Sequence, residues 1–153
     1  MVYLSDMPEK QRDMIVNQDL PKYQNTPCIE GSALSERKIA IITTAGLHRR
    51  DEDVFTPGIG EYRIIPENTD MNDLMMSHVS TNFDRTGFQL DLNVVFPIER
   101  LLELKKNGEI SEIAAYHYSF MGATPPMAHE QVAKDLAGLL KSDGVDGIVL
   151  AGV

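Results

Sequence analysis

The sequence predicts an α/β fold of three layers built on a mostly parallel sheet. Two observations point there. Lys38-Ile39-Ala40-Ile41-Ile42-Thr43 and Gly147-Ile148-Val149-Leu150-Ala151 are continuous apolar runs rich in β-branched residues. Such runs suit strands buried on both faces, as parallel strands are. The second half of the chain also alternates helix, strand, helix, strand with short connections, the order that builds a parallel sheet under covering helices.

From the N-terminus, Ser5-Asp6 with Pro8 and Glu9 predicts a helix from Pro8 to about Gln18, with Met14 and Ile15 on its apolar side. Asp19 to Ser35 carries Pro21, Pro27 and Gly31 with little periodicity and reads as an extended connector. Residues 1–36 therefore form an N-terminal helix and connector, and 37–153 the α/β domain. Within that domain, Lys38–Thr43 is the first strand and Glu61–Ile65 a short second one, closed by Pro66. Leu74 to His78 reads equally as helix or strand. Pro97 opens a helix whose Ile98, Leu101 and Leu102 share a face, and Asn107-Gly108 ends it. Ile113–Phe120 is a strand. In the helix from Met127 to Ser142, Val132, Leu136, Leu139 and Leu140 fall at i, i+4, i+7 and i+8, with Gly144 as the stop. Gly147–Ala151 is the last strand. The connections are of Rossmann/flavodoxin-like type. An open sheet of this kind normally passes from such a strand into a covering helix, so a C-terminal helix is expected to be missing; an edge strand, or a strand covered by another subunit, is the alternative.

The chain has 153 residues, the size of one domain at ~150 residues each. Fourteen basic against 23 acidic residues give a net charge of −9, which disfavours nucleic acid or an anionic membrane as the main partner. Cys28 is the single cysteine, which excludes an intramolecular disulfide and a multi-cysteine zinc site. No apolar run approaches the ~18 residues needed to span a bilayer. The first residues carry neither a basic nor an apolar signal segment, so the cytoplasm is expected.

A parallel sheet places its ligand site beyond the carboxyl ends of its strands. Three ends matter: Thr43 to His48, His117 to Gly122, and Ala151 to Val153. Thr43, Thr44 and Gly46 make a small polar turn whose backbone N–H groups could meet an anion, although no phosphate-loop motif occurs. His48 could donate to a carboxylate or act as a general acid, or stand as a loop histidine beside Arg49 and Arg50. Strand alternation sets His117 and Ser119 opposite Tyr116, Tyr118 and Phe120, leaving His117 as a core histidine or a site residue. His78 reads as structural and His129 as exposed. A metal held by His48, His78 and His117 is a further alternative, without support from H-x-H or H-E-x-x-H spacing. No metal is expected.

Five segments in order, Lys38–His48 (KIAIITTAGLH), Glu61–Pro66 (EYRIIP), Asp91–Leu104 (DLNVVFPIERLLEL), Glu112–Gly122 (EIAAYHYSFMG) and Asp143–Gly152 (DGVDGIVLAG), resemble the selenoprotein B family. These are the selenocysteine subunits of glycine, sarcosine and betaine reductases and of D-proline reductase. The likeness runs from Arg37 to the end of the chain. It implies an oxidoreductase subunit that reductively cleaves a C–N bond of a small amino acid or betaine-type substrate. A selenolate attacks the carbon next to a carboxylate, and electrons come from a dithiol reductant or other reductase subunits. In the family the strand resembling GIVLAG is followed almost at once by selenocysteine, or by cysteine in some members, in a U-x-x-C-type motif. Selenocysteine is therefore expected immediately after Val153 in the full product, with this chain cut at an in-frame UGA codon and inactive alone. Cys28, in the connector, departs from the motif's position.

The resemblance also singles out Asp91, Asn93 and Arg100. Arg100 could hold a substrate carboxylate by a bidentate pair, or pair instead with Glu99, Glu103 or Glu61. The resulting candidates are His48 and His117 for catalysis, and Thr43, Thr44, Gly46, Ser119, Arg100 and Gly152 for substrate binding. A homodimer is expected from the terminal strand. The competing reading is a small-anion-binding or subunit-assembly module.

Overall fold

The computed structural model describes residues 3–25, 30–80 and 85–153. Cys28 lies outside the described residues. Helix α1 spans Glu9–Val16 and buries no residue. Met14 and Ile15, expected on an apolar side, are exposed. Its apolar residues are the consecutive Met14, Ile15 and Val16, which spread around the helix instead of forming a stripe. No described residue before Ile39 is buried.

Strand β1 (Lys38–Thr43) is followed by the short β2 (Leu47–Arg49), β3 (Tyr62–Pro66) and β4 (Leu74–Met76). The ambiguous Leu74 segment is thus a strand, antiparallel to β2 through Leu47↔Met76 and Arg49↔Leu74. Helices α2 (Thr86–Leu90) and α3 (Ile98–Lys106) lead to strands β5 (Glu112–Ile113) and β6 (Tyr116–Phe120). Helix α4 (Glu130–Ser142) and strand β7 (Gly147–Ala151) follow.

β1 is central. β5 and β6 run parallel along one edge of it, β7 runs parallel along the other, and β3 adds to β6 antiparallel. Alternation along β1 sends its side chains to two cores. Ile39 and Ile41 pack with Leu47, Ile65, Phe96, Ile98 and Leu101, under α3. Ala40 packs with Tyr118, Phe120, Leu136, Leu140 and Val145, under α4. A sheet between α3 and α4 gives the three layers. Each helix is stopped by a glycine at positive φ, Gly108 at 74° and Gly144 at 70°, where any side chain would be strained.

Three expectations change. Leu102 and Leu139 are half exposed, because each sits about 100° around its helix from the buried Leu101 or Leu140. The strand expected over Ile113–Phe120 is broken. Ile39 to Ile42 on β1 advance three residues, while their partners Ile113 and Tyr118 lie five apart, so two extra residues bulge out. The Ala115 carbonyl turns away to accept from Glu67 N–H at 2.9 Å. β7, read as buried on both faces, exposes Ile148 (47%) and Leu150 (75%) because it is the outermost described strand on its side. Among the described residues no helix is long and apolar enough to cross a membrane.

Candidate functional site

The carboxyl ends of β1, β6 and β7 meet in register, Thr43 opposite Ser119 on one side and Ala151 on the other. The turn after β1 is then locked to both neighbours. Thr44 N–H donates to the Ala151 carbonyl at 3.0 Å, Gly46 N–H to Phe120 at 2.8 Å, and Gly122 N–H to Thr44 at 2.9 Å. A side chain on Gly122 would stand 2.9 Å from the Thr44 carbonyl oxygen, so glycine is what permits this close approach.

Thr43 and Ser119 have no exposed surface. Thr43 Oγ1 accepts from Ala45 N–H at 3.2 Å, and Ser119 Oγ accepts from Leu47 N–H at 2.7 Å. They form the floor that holds the turn. Replacing Ser119 with alanine orphans a buried Leu47 N–H and is expected to cost about 1–3 kcal/mol in a denaturant titration. Gly46 is buried at φ 65° inside the same turn. Thr44 is half-buried, and its Oγ1 accepts from Val153 N–H at 2.9 Å, fixing the chain as it leaves β7; Gly152 is exposed beside it.

The histidines are placed otherwise. His48, on β2, is buried at 4% exposure, with Nδ1 2.8 Å from the Arg49 carbonyl and Nε2 2.6 Å from Ser77 Oγ. The carbonyl requires the proton on Nδ1, and Nε2 exchanges its hydrogen bond with the serine hydroxyl. The loop-histidine alternative fails because pairing of β2 with β4 draws His48 inward.

His117 is fully buried. At the bulge, where β1 lacks a ladder partner on its β5–β6 edge, His117 Nδ1 accepts the Ile41 N–H at 3.0 Å. The ring thereby stands in for a backbone carbonyl, and its proton lies on Nε2. Phe96 packs edge-to-face against it at 5.5 Å. Burial pushes its pKa down to about 4, so the ring is neutral. Among the described residues no group of three or more His, Cys, Asp or Glu could hold a metal. The alternative triad His48, His78 and His117 is therefore not assembled; the ring nitrogens of His48 and Nδ1 of His117 are already engaged.

Arg100 lies exposed on α3 and pairs with Glu103 at 3.1 Å and Glu99 at 3.7 Å. Asp91 and Asn93 belong to a neighbouring network in which Asn93 Nδ2 donates to Asp91 Oδ1 at 2.9 Å and to Glu99 Oε2 at 2.7 Å. The hydrogen bonds from Asn93 hold the Asp91 carboxyl below its usual range. These residues organise the start of α3 and do not join the strand ends.

What opens at the strand ends is a cleft of about 270 Å³ lined by Thr44, Gly122, Thr124, His129 and Glu130, together with Pro21 and Tyr23 of the connector. Two of its residues escaped the sequence reading. Thr124 is 4% exposed, and His129, expected on the surface, is half-buried with its ring edge-to-face on Phe120 at 5.2 Å. The signal for both was the Gly122-Ala123-Thr124-Pro125-Pro126 turn between a parallel strand and the next helix.

The family described as glycine/sarcosine/betaine reductase selenoprotein B matches residues 10–153. The chain is 32% identical over 120 residues to the D-proline reductase subunit gamma of Acetoanaerobium sticklandii, covering 76% of this chain and 49% of that protein. It is 28% identical to the betaine reductase complex component B subunit beta of Peptoclostridium acidaminophilum, covering 76% of this chain and 28% of that protein. It is also 28% identical to the glycine reductase complex component B subunit gamma of Peptoclostridium litorale, covering 92% of this chain and 34% of that protein. The chain thus spans half or less of each of these relatives. No solved structure matches it.

Proposed function

Because the chain belongs to the glycine/sarcosine/betaine reductase selenoprotein B family, we propose that it is part of a reductase subunit that cleaves a C–N bond of a small amino acid or betaine-type substrate. The observation that carries the reading is the family match along the chain. It is supported by the convergence of Thr44, Gly122 and Gly152 at three neighbouring strand ends, since the family pattern puts its reactive residue directly after the strand equivalent to β7. A selenolate or thiolate supplies an ionised nucleophile at neutral pH.

The chain's own residues prepare the place. Thr43 and Ser119 brace the turn, Gly122 lets the backbones approach, and Thr44 Oγ1 fixes the backbone at Val153. The reactive residue is proposed to be encoded beyond Val153, and other reductase subunits and a dithiol reductant to be the partners.

The nucleotide sequence tests this most directly. The expected result is a TGA codon after Val153, then an open frame with a cysteine within a few codons. The 153-residue chain, given dithiol and glycine, betaine or proline, is expected to show no turnover. Robust C–N cleavage by that chain, or a frame that closes without selenocysteine or cysteine, overturns the reading. An assembly module is the second reading, favoured by the exposed Ile148 and Leu150 on β7; a TAA or TAG codon with no coding potential beyond it would support that instead.

A further inference from the structure

We propose that β7 pairs along its outer edge with β7 of a second copy of this chain, antiparallel about a two-fold axis through Val149, so that Leu150 of each copy seats at the groove between α4 and β7 of the other. The pairing is independent of the chemistry at the strand ends.

β7 is an open edge. Among the described residues it pairs with β1 alone, from Gly147 to Ala151. Successive residues of a strand turn their backbone N–H and C=O groups to opposite sides. The Ala151 carbonyl faces β1, where it accepts from Thr44 N–H. Gly147 and Val149 therefore face β1 as well, and Ile148 and Leu150 turn their backbone groups outward. Edges of this kind are normally blunted by charge, proline, a bulge or a cover, because unpaired N–H and C=O groups template another strand. Residues 147–153 contain no charged residue and no proline, in a chain of net charge −9. Two such edges meet without like charges between them.

The edge is also complementary to itself. With Val149 opposite Val149 of the other copy, Ile148 stands opposite Leu150, and the two exchange both backbone hydrogen bonds. The same pair recurs across the axis. The side chains match in turn. Ile148 and Leu150 lie in register with Ala40 and Ile42, on the α4 face of the sheet, and are 47% and 75% exposed. A groove of about 600 Å³ opens there, whose apolar lining includes Ala137, Leu140, Val145 and Ile148. Pairing brings Leu150 of one copy against Ile148 of the other, at this groove, and the second copy returns the contact. A projecting leucine and an apolar groove on one surface make the self-fitting patch that a two-fold interface requires. The sheet then runs unbroken through both copies, and the antiparallel strands send the two Thr44–Gly122 turns to opposite ends of it.

The test begins with analytical ultracentrifugation of the 153-residue chain, which is expected to show a dimer in concentration-dependent equilibrium with monomer. Leu150→Lys should abolish the dimer and leave the circular dichroism of the folded chain unchanged, since that side chain is exposed in the single copy. Leu139→Lys, at a leucine 45% exposed on α4 that does not line the groove, is the control and should leave the dimer intact. Disulfide trapping reads the register. In a Cys28→Ser background, Val149→Cys should give a cross-linked dimer under mild oxidation, because facing residues without mutual hydrogen bonds stand about 4.5 Å apart at Cα, within disulfide reach. Leu150→Cys faces Ile148 and should cross-link far less. A chain that stays monomeric at every concentration, a dimer that survives Leu150→Lys, or trapping through Leu150→Cys in preference to Val149→Cys overturns the pairing. Where the frame runs on past Val153, the longer product should form the same Val149→Cys link. Its absence there would show later residues occupying the edge and would overturn the pairing, whatever turnover that product displays.

Discussion

Replacing His117 with leucine is expected to destabilise the folded chain by about 1–3 kcal/mol at neutral pH and to flatten its response to acid. The first effect follows from one hydrogen bond. His117 Nδ1 is the acceptor for Ile41 N–H in the middle of the sheet, and a leucine of similar bulk leaves that donor buried and unpaired. The second follows from the proton. The folded ring has a pKa of about 4 against 6.5 for a free histidine, so the unfolded chain binds the proton first as pH falls. The contribution is complete above pH 6.5 and is lost progressively as pH drops towards 4, in total about 3 kcal/mol. His78, whose pKa is also lowered, chiefly by burial, acts in the same direction and remains in the variant. Urea titrations at pH 7.5 and pH 5 on both proteins check this. A His117→Leu protein with the parent's midpoint at pH 7.5, or with the parent's full acid loss, contradicts the assigned role of the ring.

Gly60→Ala is expected to cost about 2–3 kcal/mol and to disturb the cleft as well. A Cβ at this position would fall on the carbonyl oxygen of Ala128 and within 3.1 Å of His129 N, so backbone must move. Neither side yields easily. The loop before Gly60 is anchored by buried Phe55, with the Arg63 guanidinium 4.5 Å from its ring centre, and by the Glu61–Arg63 pair at 3.2 Å. The other side is the turn that carries His129. The expected signature is therefore a lower urea midpoint together with shifted NMR signals from the Ala128–His129 turn. Gly87→Ala, in α2 with nothing within 4 Å of the new Cβ, should be neutral or slightly stabilising. Equal effects of the two substitutions would show that the Gly60 contact carries no weight.

Much of the framework was legible in the sequence, and particular residues show why. Ile39, Ile41 and Ala40 announce a strand with two buried faces, and they fill the two cores. The spacing of Leu136 and Leu140, and the stop at Gly144, read α4 correctly because helix periodicity and a positive-φ glycine are local properties. The cleft was only partly legible. Its location at the strand ends followed from a parallel sheet, but Thr124 and His129 carry no motif.

The amino-acid order alone settled the class of fold, the central position of the apolar runs and the kinship with the reductase family, since each depends on periodicity or on residues read along one stretch of chain. Only the tertiary structure decided what each polar side chain does. The two-residue bulge brings His117 to Ile41, pairing of β2 with β4 buries His48, and the close packing of Gly60 on Ala128 sets the turn that holds His129. The bond from Ile41 N–H to His117 joins residues 76 positions apart, and no local pattern encodes which donor will meet which acceptor.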